Sequence, residues 1–121
     1  MAKLSNEAKK IIGEFGPALI ATANKAGKPN VSPKGSFRVL DDEHVIFANI
    51  ASPRTMANLK ENPQLTAIML DRSSRKGCRI WGKAEILSSG DLFDTISAEF
   101  AERDMKVKHV VKVTVEEVAT F

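Results

Sequence analysis

The sequence predicts a mainly β chain of the α+β class, six antiparallel strands curled into a small barrel with short helices plugging its gaps. Three observations carry this. Short apolar runs rich in Val, Ile and Ala recur between turn signals such as Asn24-Lys-Ala-Gly-Lys-Pro29 and Asp41-Asp-Glu-His44. Most connections are too short for the crossovers that parallel strands need. Three stretches switch from the two-residue period of a strand to helical spacing, and closing the sheet removes edges that would otherwise pair with other chains.

The elements follow in order. Ala8, Ile11, Ile12 and Phe15 give Ser5–Phe15 one apolar helical face, ended by Gly16-Pro17. Ala18–Ala23 reads as a strand and Asn30–Leu40 as a long second strand. That second strand breaks pattern twice, because Pro33 has no N–H for a ladder and Gly35 packs nothing. A bulged or unpaired segment is expected there, with free backbone groups and close access for a ligand. Val45–Ile50 is the third strand and leads into a helix opening at Ser52, the expected side-chain cap, with Pro53 at the first helical position and an end before Asn62-Pro63.

Gln64–Asp71 is mostly apolar and reads as a central fourth strand. Gly77–Leu87 alternates Cys78, Ile80, Gly82, Ala84 and Ile86 against Arg79, Trp81, Lys83 and Glu85, which places Trp81 on the outward set. Ser88–Arg103 carries Leu92, Phe93, Ile96 and Phe100 at helical spacing, with Ser88-x-x-Asp91 as a variant capping box. Lys106–Thr114 is the last strand, and 115–121 reads as a tail ending in Phe121.

Composition narrows the function. The 121 residues suit one domain, 1–121, with 43% hydrophobic and 27% charged residues. Neither a secretory leader nor a bilayer-length apolar run is visible, so no membrane association and a cytoplasmic location are expected. The single Cys78 excludes an internal disulfide and suits a small buried strand residue, and no metal motif is present. A net charge of +3 is compatible with nucleic-acid binding, but the cations are interspersed with acids and the richest cluster, Arg72–Lys76, lacks aromatic neighbours. No nucleic-acid partner is expected; mild basicity instead suits a small anion. His44 and His109 lie in different elements and form no expected catalytic pair.

One residue opposes its local setting. Arg54 puts a positive charge in the first turn of a helix, where the dipole is already positive, a mismatch of roughly 0.3–1 kcal/mol. A bound phosphate would reverse that cost, because Arg54, the Thr55 hydroxyl and the free N–H groups would share one anion. The alternative is an Arg54 that extends into solvent or pairs with an acid such as Glu61.

Four segments in order, Gly27-Lys-Pro-Asn-Val-Ser-Pro-Lys34, Val45-Ile-Phe-Ala-Asn49, Ser52-Pro-Arg-Thr-x-x-Asn-Leu-x-x-Asn-Pro63 and Gly82-Lys-Ala-Glu-Ile86, resemble the pyridoxamine 5'-phosphate oxidase-like split-barrel flavoproteins. The likeness spans about residues 10 to 120 and is greatest to the small bacterial FMN-binding members. It implies a homodimer with FMN at the subunit interface and a transient electron or hydride donor that the sequence does not identify. Arg54 and Thr55 would hold the FMN phosphate, Arg54 standing where many relatives have Lys. Ser32, Pro33, Lys34, Gly35 and Ser36 would lie along the isoalloxazine, with Asn49, Ile50 and Ala51 as the other wall. Lys34 would stabilise an anionic reduced flavin and raise its potential. Trp81 and Phe121 would approach the neighbouring subunit's flavin or bury in the dimer. The chain lacks the terminal arginine and histidine with which the vitamin-converting members grip substrate. No catalytic residue is assigned; the expected function is an FMN-dependent oxidoreductase or electron carrier. The alternative is a non-redox module for haem or a pyridoxal-type compound.

Overall fold

The computed structural model describes residues 2–121. Its elements are α1 (Asn6–Glu14), β1 (Ala18–Ala23), β2 (Pro29–Lys34), β3 (Arg38–Asp41), β4 (His44–Asn49), α2 (Pro53–Glu61), β5 (Gln64–Asp71), β6 (Lys76–Leu87), α3 (Asp91–Ala101) and β7 (His109–Thr120). All strand pairs are antiparallel, in the order β2-β1-β5-β6-β7-β4-β3. The sheet curls but does not close, which makes it a split barrel.

Seven strands replace the expected six because the long second strand breaks at Gly35. Its halves sit on opposite edges of the sheet, β2 against β1 and β3 against β4. Pro33 is tolerated since β2 is an edge strand with a single partner, on which it faces Leu19. Past the break, the Ser36 hydroxyl accepts the Ala48 N–H at 2.9 Å and satisfies a donor at the end of the β3–β4 ladder.

Strand alternation builds two cores. Val45, Phe47, Val111, Val113 and Val115 point into the barrel with Ile20, Met69 and Ile80, all at most 1% exposed. Each such side chain contributes roughly 1.5–3 kcal/mol by burial. Met69 and Met56 fill the core. Ala8, Ile11 and Ile12 of α1 close one opening, and Ser5 caps that helix by accepting the Ala8 N–H at 3.1 Å. On the opposite face of β4 and β7, Ile46, Ala48 and Val110 pack under Ile96 of α3, so β4 is apolar on both sides. Cys78 is fully buried; burial, with a smaller contribution from the Glu7 charge, pushes its thiol up to about 11.

Two other sequence expectations change. Residues 115–120 continue β7 instead of forming a tail. Their alternation was obscured by a bulge, in which Trp81 faces Glu117 while Gly82 faces Val115, leaving Glu116 as the extra residue. Val115 and Val118 therefore both reach the core. The variant capping box is not formed either: Gly90, at φ 99°, caps α3 and turns the chain so that Asp91 becomes its first residue. Among the described residues no helix is long and apolar enough to cross a membrane.

The bulge leaves no room at Gly82. A Cβ there would stand 2.6 Å from both the Thr114 carbonyl oxygen and Val113 Cγ1. Gly82→Ala is expected to lower unfolding stability by about 1–3 kcal/mol, the usual cost of overpacking, measured by urea denaturation.

Candidate functional site

The site is built where β4 ends and α2 begins. Asn49 is 4% exposed and organises the connection with its side chain. Its Oδ1 accepts from both the Ser52 N–H, at 3.1 Å, and the Ser52 hydroxyl, at 2.7 Å. Its amide nitrogen lies 3.0 Å from His109 Nδ1. Ser52 therefore does not cap α2 with its side chain as the sequence suggested. Its hydroxyl is given to Asn49 and accepts instead from Lys34 Nζ. The Met56 N–H bonds the Ser52 carbonyl, and Pro53 has no N–H, so the first-turn N–H groups of Arg54 and Thr55 remain without an intrahelical partner.

Lys34 is the electrostatic anomaly of the fold. It is 9% exposed, forms no ion pair among the described residues and is held by a neutral hydroxyl. Burial pulls its ammonium below the ordinary lysine range. An uncompensated buried cation costs stability unless a ligand supplies an acceptor or an anion.

Three clefts surround this junction. The first, about 460 Å³, is lined by Pro33, Lys34, Gly35, Ser36 and Ile50, and by Arg38, Phe100 and Arg103 across from them. Arg38 makes a bidentate pair with Glu99, at 2.9 and 3.1 Å, which fastens α3 over this cleft. Open space lies where a Cβ at Gly35 would stand, so the backbone there is accessible. The second cleft, about 470 Å³, takes Asn49, Ile50, Ala51 and Ser52 together with Lys60, Lys108 and His109. The third, about 180 Å³, joins Arg54 to Lys28, Asn30 and Asn58. No group able to hold a metal is formed among the described residues.

Most of the sequence-derived candidates thus converge, and some do not. Residues 33–36 and 49–51 border adjoining clefts that share Ile50. Ser32 lies inside the β2 ladder opposite Ile20. Thr55 is 1% exposed, its hydroxyl 3.5 Å from Asn30 Nδ2, while Arg54 is exposed. Trp81 lines a separate hollow with Ala21, Thr22 and Thr66 on the outer face of the sheet. Phe121 stands against Gly77, and the Arg79 guanidinium lies 5.9 Å from the Trp81 ring and 5.6 Å from that of Phe121. Sequence reasoning missed Ser52 as a buried hydrogen-bond hub and passed over His109. The i, i+3 spacing of Asn49 and Ser52 before a helix is a side-chain-to-backbone turn signal that could have exposed the first; nothing local marks the second.

The sequence profile of pyridoxamine 5'-phosphate oxidase matches residues 4–121. The chain belongs to that family. Solved structures share its fold. HupZ of Group A Streptococcus is 28% identical, with a TM-score of 0.89 over 97% of this chain and 93% of that one. An FMN-binding protein from Syntrophomonas wolfei shares the fold at 18% identity, with a TM-score of 0.86 over 97% and 85%. HutZ, the haem storage protein of Vibrio cholerae, shares it at 24% identity, with a TM-score of 0.68 over 98% and 94%. No curated protein matches the sequence. Within the oxidase family, then, this chain keeps the split barrel and places a buried cation beside an open helix N-terminus.

The lone ammonium makes stability depend on pH in a fixed direction. With its folded pKa lowered, Lys34 binds a proton more readily in the unfolded chain; its destabilising contribution is full below the folded value and disappears as pH rises through the unfolded value near 10.5. Lys34→Met, which keeps the volume and removes the charge, is expected to stabilise the ligand-free protein at neutral pH by about 1 kcal/mol. It should also flatten its stability profile between neutral and alkaline pH, read by thermal unfolding across that range.

Proposed function

We propose that this protein is an FMN-binding redox flavoprotein, a small cytoplasmic oxidoreductase or electron carrier, that works as a homodimer. The observation that carries the reading is the pairing of a buried ammonium that has no counter-charge among the described residues with an exposed arginine on a helix whose first turn has no acid. These are the two complements FMN requires, a donor for the polar edge of the ring and a cationic pocket for the phosphate. Family membership and the FMN-binding protein from Syntrophomonas wolfei, which shares the fold, support it.

The residues present fit the group. Arg54 and the free N–H groups of the first α2 turn would take the phosphate. Lys34 and the open backbone at Gly35 would face the isoalloxazine, with Asn49, Ile50 and Ala51 on the other side. Bound flavin would supply the one- or two-electron chemistry. The chain's own part is to hold Lys34 positive against the ring: Ser52 accepts from Lys34, and Asn49 orients Ser52. Exclusion of water falls to Ile50 and to α3, fastened by Arg38 and Glu99.

The homodimer is supported by an apolar outer face. Val31 and Leu19 are 61% and 44% exposed on neighbouring strands, Leu70 is 47% exposed, and Trp81 and Phe121 lie on the same face. Exposed apolar surface of this continuity marks an interaction site. Trp81 and Phe121 would be buried by the second subunit. Sedimentation equilibrium should give twice the 13.2 kDa chain mass, and Leu19→Lys should shift it to monomer; a wild-type monomer at micromolar concentration refutes the dimer.

A visible spectrum of the purified protein, with FMN and then with dithionite, tests the cofactor. Flavin absorption that co-elutes with the protein and bleaches on reduction is expected. A Soret band replaces the flavin reading with haem binding, and a colourless protein that refuses FMN ends it. Arg54→Ala should weaken FMN by roughly tenfold to a hundredfold, the weight of a charge-assisted hydrogen bond, and leave riboflavin, which has no phosphate, almost unchanged.

A further inference from the structure

We propose that His109 is a positioning residue for Lys34: its neutral ring, acting through Asn49 and Ser52, holds the ammonium in place, and a second proton on that ring releases it. His109 and Asn49 are cross-strand partners on β7 and β4, so their side chains share one face, and Asn49 Nδ2 lies 3.0 Å from His109 Nδ1. Asn49 Oδ1 in turn holds Ser52, whose hydroxyl receives the Lys34 ammonium. A half-buried, titratable ring is thereby connected to a buried cation through consecutive side-chain hydrogen bonds.

The direction of each bond in this relay is fixed by its neighbours. An ammonium only donates, so Ser52 Oγ accepts from Lys34. The Ser52 hydroxyl and backbone N–H both donate to Asn49 Oδ1, at 2.7 and 3.1 Å. The Asn49 NH2 group therefore faces His109, which must offer a lone pair at Nδ1 and carry its proton on Nε2. A ring that takes a second proton is a donor at both nitrogens, and Nδ1–H then opposes the NH2 group donor to donor. Turning the amide over would give the ring an oxygen but leave both buried Ser52 donors without their acceptor, a costly exchange. By either route the hydroxyl that receives Lys34 loses the bond that orients it.

The surroundings of His109 offer the extra proton no compensation. Among the described residues the ring pairs with no carboxylate. The charges that border its cleft are Lys60 of α2 and Lys108, its neighbour in the chain. On the other flank β6 ends at Leu87, opposite Val110, and is followed by the uncharged Ser88, Ser89 and Gly90. Asp91, Asp94 and Glu99 belong to α3, which packs on the opposite face of β4 and β7, against Ile46, Ala48 and Val110. The consequence for FMN rests on the flavin reading, in which release of Lys34 withdraws a donor from the polar edge of the isoalloxazine. The relay itself requires no flavin.

Fluorescence titration of FMN into the full-length protein, at about pH 8 and about pH 5, the limits between which imidazole changes charge, compares the wild type with His109→Asn. That variant keeps an oxygen able to accept from Asn49 and takes no proton in this range. The ratio of the two affinities cancels the titration of the FMN phosphate itself, which takes up a proton at about pH 6. Equal affinities are expected at the upper pH and a wild type weaker by about tenfold at the lower, the weight of a hydrogen bond to a charged group. A role for His109 through charge alone predicts the reverse, since a protonated ring adds to the positive field that draws an anion. In the wild-type protein without FMN, NMR signals of the Lys34 ammonium and the Asn49 amide should move with the midpoint of the His109 ring, a readout that needs no substitution. Lys34 signals that stay fixed while the ring titrates, an affinity ratio independent of pH, or one that favours the wild type in acid would each overturn the relay. A protein that refuses FMN ends the flavin reading, and the NMR titration alone then decides the relay.

Discussion

The two edges of this sheet are joined by a single short turn, and much of the molecule follows from that constraint. β2 ends at Lys34 and β3 begins at Arg38, yet one is the first strand of the sheet and the other the last. Seven strands must therefore curl until their ends come within reach of a three-residue connection. Curling turns the inner faces of β4, β6 and β7 toward one another and gives the valine-rich interior its closed shape. Continuous pairing across the split would leave a closed barrel with no backbone to spare. The turn prevents it, and the space around the turn becomes the first cleft.

The same turn places Lys34 inside the protein. Its ammonium reaches across the split to Ser52, so the edge strand β2 and the β4–α2 junction, which share no ladder, are linked by a side-chain hydrogen bond. A carboxylate partner would make this link stronger in isolation and would also neutralise the site. The chain instead leaves the cation with a hydroxyl and thereby accepts a local cost in stability. Buried polar groups that are only partly satisfied by their own protein are common where a ligand completes them. Asn49 serves both sides of this arrangement, since its carbonyl oxygen orients Ser52 toward Lys34 while its amide fixes the ring of His109.

Much of the architecture was legible locally. Helical spacing in α1, the alternation along β6 and the uninterrupted apolar run of β4 each correspond to an observed face or core. The Pro33 and Gly35 irregularity was also visible, but its meaning was not. A residue that cannot pair is compatible with a bulge, an edge or a break, and only the positions of the partner strands choose among them. The β7 bulge misled for a related reason: one extra residue at Glu116 inverts the alternation, so a paired strand reads as an irregular tail. Ser52 met every local requirement for a helix cap and was recruited by Asn49 and Lys34 instead, because long-range hydrogen bonds to a buried ammonium outweigh one local bond.

By itself the sequence determined the three helices, most of the strands, the antiparallel class and the unusual positive charge at the start of α2, because these depend on periodicity, turn chemistry and charge within a few neighbouring residues. The tertiary structure decided the number of strands, the burial of Lys34 and its reach to Ser52, and the placing of His109 against Asn49. Those depend on contacts between residues 18 to 60 positions apart, for which no short-range pattern in the chain carries the information.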